Sequence, residues 1–200
     1  MTVLAVAEHR RGELRDVSYE LLTAGRELAD AAGGDLHVAV VSGDVDAYAE
    51  ELNRDAVDAI HTVDYGEEFN HDVYVQAVEQ LADSVGATYV LAPNSVNGLD
   101  YAPALAQRLD WPLVTDAVAM DTNDSLTVTR ELYGGKTEGT IDVAGDRALL
   151  TIRGGEWPAA DGAGDAAVSA FDADIEESAI GSTVTGFQEV GAGDVDITDA

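Results

Sequence analysis

Glu8 and His9 stand side by side where the first apolar run of the chain ends, and their types are the ones that most directly suggest chemistry. A carboxylate next to an imidazole can serve as an acid/base pair or as half of a metal site. Their adjacency argues against both uses, because neighbours on an extended strand point to opposite faces and do not converge on one atom. They read better as polar residues closing a strand, at an interface. His37, His61 and His71 show neither H-x-H nor H-E-x-x-H spacing, so no zinc pattern is present. Asp121 to Ser125 (DTNDS) and Asp172 to Glu176 (DADIE) place acids as a calcium loop does. Neither continues to glycine at the sixth position or glutamate at the twelfth, and both read as solvated acids. Cysteine is absent, which excludes disulfides, thiolate nucleophiles and iron–sulfur ligation, and no G-x-S-x-G elbow exists for a serine hydrolase.

For nucleotide chemistry the signal is thin. The chain lacks G-x-G-x-x-G, G-x-x-x-x-G-K-[ST] and a Ser-Gly-Gly loop after its first strand. Asn94, Ser95, Asn97 and Gly98 are the pocket candidates, since this segment can form a small anion nest at a helix start. A plain helix-capping loop explains the same residues equally well. Arg10 and Arg11 are the cations that would meet a phosphate near the first strand.

The elements that must position these residues follow from hydrophobic periodicity. Short apolar runs at Thr2–Ala7, Leu36–Val41, Val57–Val63, Tyr89–Ala92 and Leu113–Met120 predict buried strands. Between them, helical spacing predicts helices over Val17–Ala32, Val45–Arg54, His71–Val85 and Leu99–Leu109, with Gly33 and Gly86 as stops. Pro103 is best tolerated in a first turn, which places the start of the last helix near Leu99 or Asp100. Alternating strands and helices call for a three-layer α/β domain with a doubly wound parallel sheet, of adenine-nucleotide-hydrolase-like or Rossmann-like type. In such a sheet ligands sit beyond the carboxyl ends of the strands, at Glu8-His9, Ser42-Gly43 and Asn94 to Gly98.

After Asp121 the pattern changes to strand-like runs at Leu126–Tyr133, Thr137–Val143 and Arg147–Arg153, separated by glycine turns. They predict an antiparallel meander covering about 117–153, appended to a domain of residues 1–160. Residues 161–200 read as an acidic extension or linker, with one or two strands between 165 and 190. Arg130, Lys136 and Arg153 cluster with Tyr133, Gly134 and Gly135 around this meander, and cations retained on an acidic chain beside an aromatic suit an interface. Local ion pairs to carboxylates are the competing explanation.

The charge itself is extreme. With 39 Asp and Glu against 10 Lys and Arg, the formal net charge is −29, and Lys136 is the only lysine. Such a surface repels nucleic acid and anionic lipid. Hydrophobic residues at 46% still provide a core. Self-repulsion of this size is relieved by concentrated salt, where the Debye length falls to about 3 Å at 1 M, so the composition predicts a protein of a high-salt cytoplasm. The first residues have too short an apolar run for a signal peptide, and no segment approaches a membrane span.

Four stretches in order carry a resemblance: Ala7-Glu8-His9, Gly98 to Asp116 (GLDYAPALAQRLDWPLVTD), Arg130 to Lys136 (RELYGGK) and Leu150 to Trp157 (LTIRGGEW). Together they resemble the N-terminal domain of an electron transfer flavoprotein alpha subunit, over roughly residues 1 to 160. The resemblance implies a non-enzymatic electron-carrier subunit that pairs with a beta subunit. It implies FAD in the complete heterodimer, gripped by a glycine- and arginine-containing second domain not found in these 200 residues, and AMP with the beta subunit. It further implies acyl-CoA dehydrogenases of fatty acid beta-oxidation as donors and a quinone reductase as acceptor. The meander would lie where the alpha N-terminal domain meets the beta subunit. The alternative is a stand-alone nucleotide-binding module of the universal-stress type, whose glycine-rich phosphate loop after the fourth strand is missing here. An amidotransferase or pyrophosphatase of the same superfold would need a phosphate loop where Glu8-His9-Arg10-Arg11-Gly12 stands.

Overall fold

The structure, a computed structural model, describes residues 1–122 and 125–188. In chain order the elements are β1 (Thr2–Val6), β2 (His9–Arg10), β3 (Glu13–Leu14), α1 (Asp16–Ala32), β4 (Asp35–Val41), α2 (Val45–Leu52), β5 (Ala59–Val63), α3 (His71–Val85), β6 (Ala87–Pro93) and α4 (Val96–Leu109). They continue with β7 (Leu113–Asp121), β8 (Thr127–Leu132), β9 (Thr137–Asp142), β10 (Ala148–Ile152) and β11 (Ala167–Ala170). Nine strands form one sheet in the order β11-β5-β4-β1-β6-β10-β7-β8-β9, every pairing parallel except β7–β8 and β8–β9, while β2 and β3 make a separate small hairpin. This is the expected three-layer α/β fold.

The central strands β1, β4, β6 and β10 are apolar at successive positions because both faces are covered. Val3 and Ala5 of β1 join the core under α1 and α2 with Leu21, Leu22, Leu28 and Leu52. Leu4 and Val6 alternate to the other face, where α3 and α4 bring Val78, Leu81, Tyr101 and Leu105. Each such fully buried leucine stabilises the fold by about 1.5–3 kcal/mol relative to exposure.

Two expectations need correction. The run at Arg147–Arg153 is not the third strand of a meander. Its strand, β10, is inserted parallel between β6 and β7, pairing Ala148 with Tyr89 and Leu149 with Leu113. The reason is its composition: Ala148–Ile152 (ALLTI) is buried at every position, so it has no polar face to leave at the rim. The antiparallel appendage is β7-β8-β9 alone. Helix α4 begins at Val96, three residues before the start inferred from Pro103, because Ser95 caps it by accepting the Gly98 N–H at 3.0 Å. Pro103 therefore lies inside the helix and forgoes the bond to the Leu99 carbonyl, on a turn where Leu99 and Asp100 are exposed.

Residues 161–188 of the acidic extension are folded. Strand β11 adds to the β5 edge, and the chain then crosses α3 while side chains of that helix and its cap hold its backbone. Gln80 accepts from Asp174 N at 2.9 Å and donates to its carbonyl at 3.0 Å. Gln76 accepts from Glu176 N at 2.8 Å, Asp72 from Gly181 N at 2.8 Å, and Asn70 donates to Ser182 O at 2.7 Å. The last part of the expected extension or linker, residues 189–200, lies outside the described residues.

Candidate functional site

Beyond the carboxyl ends of β1 and β6 the sheet opens into a cleft of about 490 Å³, where an open α/β sheet places its ligands. Glu8 and His9 form one wall and turn apart, as adjacent residues must. Glu8 is buried and takes a short hydrogen bond from the Ser95 hydroxyl. Burial pushes its carboxyl above the ordinary range, opposed by Ser95, Arg15 and Arg10. Ser18 holds its backbone on both sides, accepting from Glu8 N and donating to Glu8 O at 2.9 Å each. His9 is 2% exposed and donates from Nε2 to the Val41 carbonyl at 3.1 Å. A carbonyl can only accept, so Nε2 carries the proton and Nδ1, which has no partner, is a bare lone pair. Burial lowers the His9 pKa accordingly. Its ring stacks on Tyr48 with centroids 5.0 Å apart.

The four pocket candidates all fall at the α4 start. Ser95 is its cap, and Asn94 is engaged elsewhere, donating to Asp116 Oδ1 at 2.9 Å and accepting from Thr151 Oγ1 at 2.7 Å. Gly98 is required by packing: a Cβ there would meet the Pro93 carbonyl oxygen at 1.8 Å. Asn97 lines the cleft.

The second cluster braces the appendage. Arg153, leaving β10, binds Asp116 bidentately, Nε to Oδ1 at 2.9 Å and Nη2 to Oδ2 at 2.6 Å, and reaches Glu131 of β8 at 2.6 Å. The pairing holds Asp116 below the usual carboxylate range, mainly through the Arg153 hydrogen bonds, and raises the guanidinium in turn. Asp116 sits at φ 66° where β7 and β10 shift register, and its N–H donates to Thr151 Oγ1 at 2.9 Å. Of the six interface candidates, Arg153 is thus committed to local carboxylates, and the Arg130 Nε is buried without a partner. Tyr133, Gly134, Gly135 and Lys136 form the β8–β9 turn, with Tyr133, Gly134 and Gly135 all at positive φ and Tyr133 82% exposed. Asp116, Thr151 and Asn94 were not legible as one network; the available signal was Thr115-Asp116 within one predicted strand and Thr151-Ile152-Arg153 at the end of another, strands that prove to be neighbours.

Among the described residues no group of three or more His, Cys, Asp or Glu is placed to hold a metal ion. The acids Asp172 and Asp174 belong to the segment held by α3, and the Asp121–Ser125 stretch includes positions outside the described residues. No helix among the described residues is long and apolar enough to cross a membrane.

Residues 3–176 match the family described as Electron transfer flavoprotein domain. The chain is 34% identical over 200 residues to the electron transfer flavoprotein subunit alpha of Methylophilus methylotrophus, covering 98% of this chain and 62% of that protein. It is 33% identical to the subunit alpha of Syntrophomonas wolfei, over 80% of this chain and 50% of the relative. Protein FixB of Clostridium saccharobutylicum is 31% identical over 76% of this chain and 47% of its own length. The chain thus spans between 47% and 62% of the length of these relatives.

Proposed function

This chain belongs to the electron transfer flavoprotein family as an alpha-subunit N-terminal domain, and we propose that it is the rigid base of an FAD-containing heterodimer, pairing with a beta subunit. In this reading it is an electron-carrier subunit without a catalytic site of its own. Electrons pass from acyl-CoA-type dehydrogenases of fatty acid beta-oxidation to a quinone reductase through a flavin held outside these 200 residues, and AMP sits with the beta subunit. Arg130, Tyr133, Gly134, Gly135, Lys136 and Arg153 lie on or behind the surface that meets the partner. The acidic shell suits a salt-rich cytoplasm.

The observation that carries the reading is the braced hairpin. Tyr133 and Lys136 are exposed at a turn whose strands are tied through Glu131 and Arg153 into the central β10. An aromatic and a cation presented on a stiff support, on an otherwise acidic surface, are what an interface anchor needs. The scaffold role is tested by equilibrating the chain with FAD in molar salt and separating bound from free by gel filtration. The expected result is no co-eluting flavin; stoichiometric retention would place the flavin site in this half and overturn the reading.

A further inference from the structure

We propose that the cleft beyond β1 and β6 is a binding site for a small ligand bearing a phosphate or carboxylate group, held by Arg10 and Arg15. Both arginines line the cleft, and among the described residues neither makes an ion pair within 4 Å, although both act electrostatically on Glu8 across it. Three of the ten basic residues, Arg10, Arg11 and Arg15, fall in the β2–β3 hairpin and the α1 cap that follows it.

The backbone adds to their field. Helices α1 and α4 both open onto the cleft, through Arg15 and Val17 and through Ser95 to Asn97. The first-turn N–H groups of Asp16, Val17, Val96 and Asn97 have no hydrogen-bond partner among the described residues. Helix α1 has no side-chain cap, and the residue at its cap position is Arg15. A cation at the positive end of a helix is an unfavourable placement by itself, and an anion between Arg15 and the α1 N-terminus relieves it.

Two carboxylates share the cleft and are each occupied. Glu8 takes the Ser95 hydroxyl and Glu68 Oε2 takes the Arg11 N–H at 3.4 Å. The far wall is the end of the folded extension, Val184 and Phe187, with Phe187 under the Arg11 guanidinium at 4.8 Å.

The proposal does not depend on pairing with a beta subunit and is tested on the 200-residue chain alone. Inorganic phosphate and AMP are titrated calorimetrically into the chain and into the Arg10→Gln/Arg15→Gln double variant, with Arg147→Gln, whose arginine lies over Trp111, as control. The expected result is binding of phosphate or AMP that weakens at least tenfold in the double variant and is unchanged in the control. Binding of AMP alone, lost in the double variant, also supports the site and shows that the nucleoside adds contacts. Absence of binding by both probes, or binding that survives loss of both arginines in a variant with an unchanged circular dichroism spectrum, overturns it.

Discussion

Asp116 and Arg153 come from two strands that are neighbours in the sheet but 37 positions apart in the chain, and they meet in a two-pronged pair at 2.9 and 2.6 Å. Both side chains are less than a third exposed, and Arg153 extends the pair to Glu131. This pair ties the appended hairpin to the parallel sheet. Replacing Asp116 by Asn keeps a side chain tolerant of φ 66° and removes only the charge. The expected loss is about 1–3 kcal/mol in urea denaturation at neutral pH. Because the folded-state pKa of Asp116 is depressed, its contribution is present above its ordinary value of 3.8 and disappears as pH falls through the folded value. The gap between wild type and Asp116→Asn should therefore narrow in acid below that value.

The α4 start separates two kinds of loss. Ser95→Ala removes a cap and the donor to Glu8, costing about 1–2 kcal/mol. Gly98→Ala forces a Cβ against the Pro93 carbonyl, and only backbone movement relieves it, so the expected cost is about 3 kcal/mol or more. Thermal denaturation of the two variants checks the order; an equal or smaller effect of Gly98→Ala contradicts the packing described.

How far the sequence disclosed this molecule depends on whether a feature is local or paired. The helix His71–Val85 and the strand alternation were legible because periodicity is a property of one segment. The destination of β10 was not, since an apolar run announces burial without saying between which strands, and the glycine turns before it imitate a meander. The start of α4 was hidden by Pro103, a strong local signal overridden by the Ser95 cap and tertiary packing. Glu8 and Asn94 were legible as a place, through the rule that ligands lie at strand ends. Their occupation by Ser95, Asp116 and Thr151 depends on contacts across 22 to 87 positions that no spacing reveals.

Acidification reads the histidines. His9, His37 and His61 all have folded pKa values lowered by burial, and His61 Nε2 lies 3.0 Å from His37 Nδ1. Lowered basic groups stabilise fully above the unfolded value of 6.5 and lose that contribution as pH falls below it. Each contributes a slope of up to about 1.4 kcal/mol per pH unit in that window. Stability measured from pH 7 to 5 should fall, and His9→Asn should make the fall shallower.

The net charge of −29 sets the response to salt. Screening shortens repulsion among surface carboxylates, so the melting temperature should rise from dilute buffer to molar salt. A flat or falling melting temperature would remove the argument for a salt-rich cytoplasm.

Sedimentation velocity of this chain mixed with an equal amount of an electron transfer flavoprotein beta subunit, in molar salt, tests the proposed role most directly. The account predicts a one-to-one complex, weakened at least tenfold by Tyr133→Ala combined with Lys136→Glu. Two species sedimenting independently, or a complex indifferent to those substitutions, would contradict pairing through the braced hairpin.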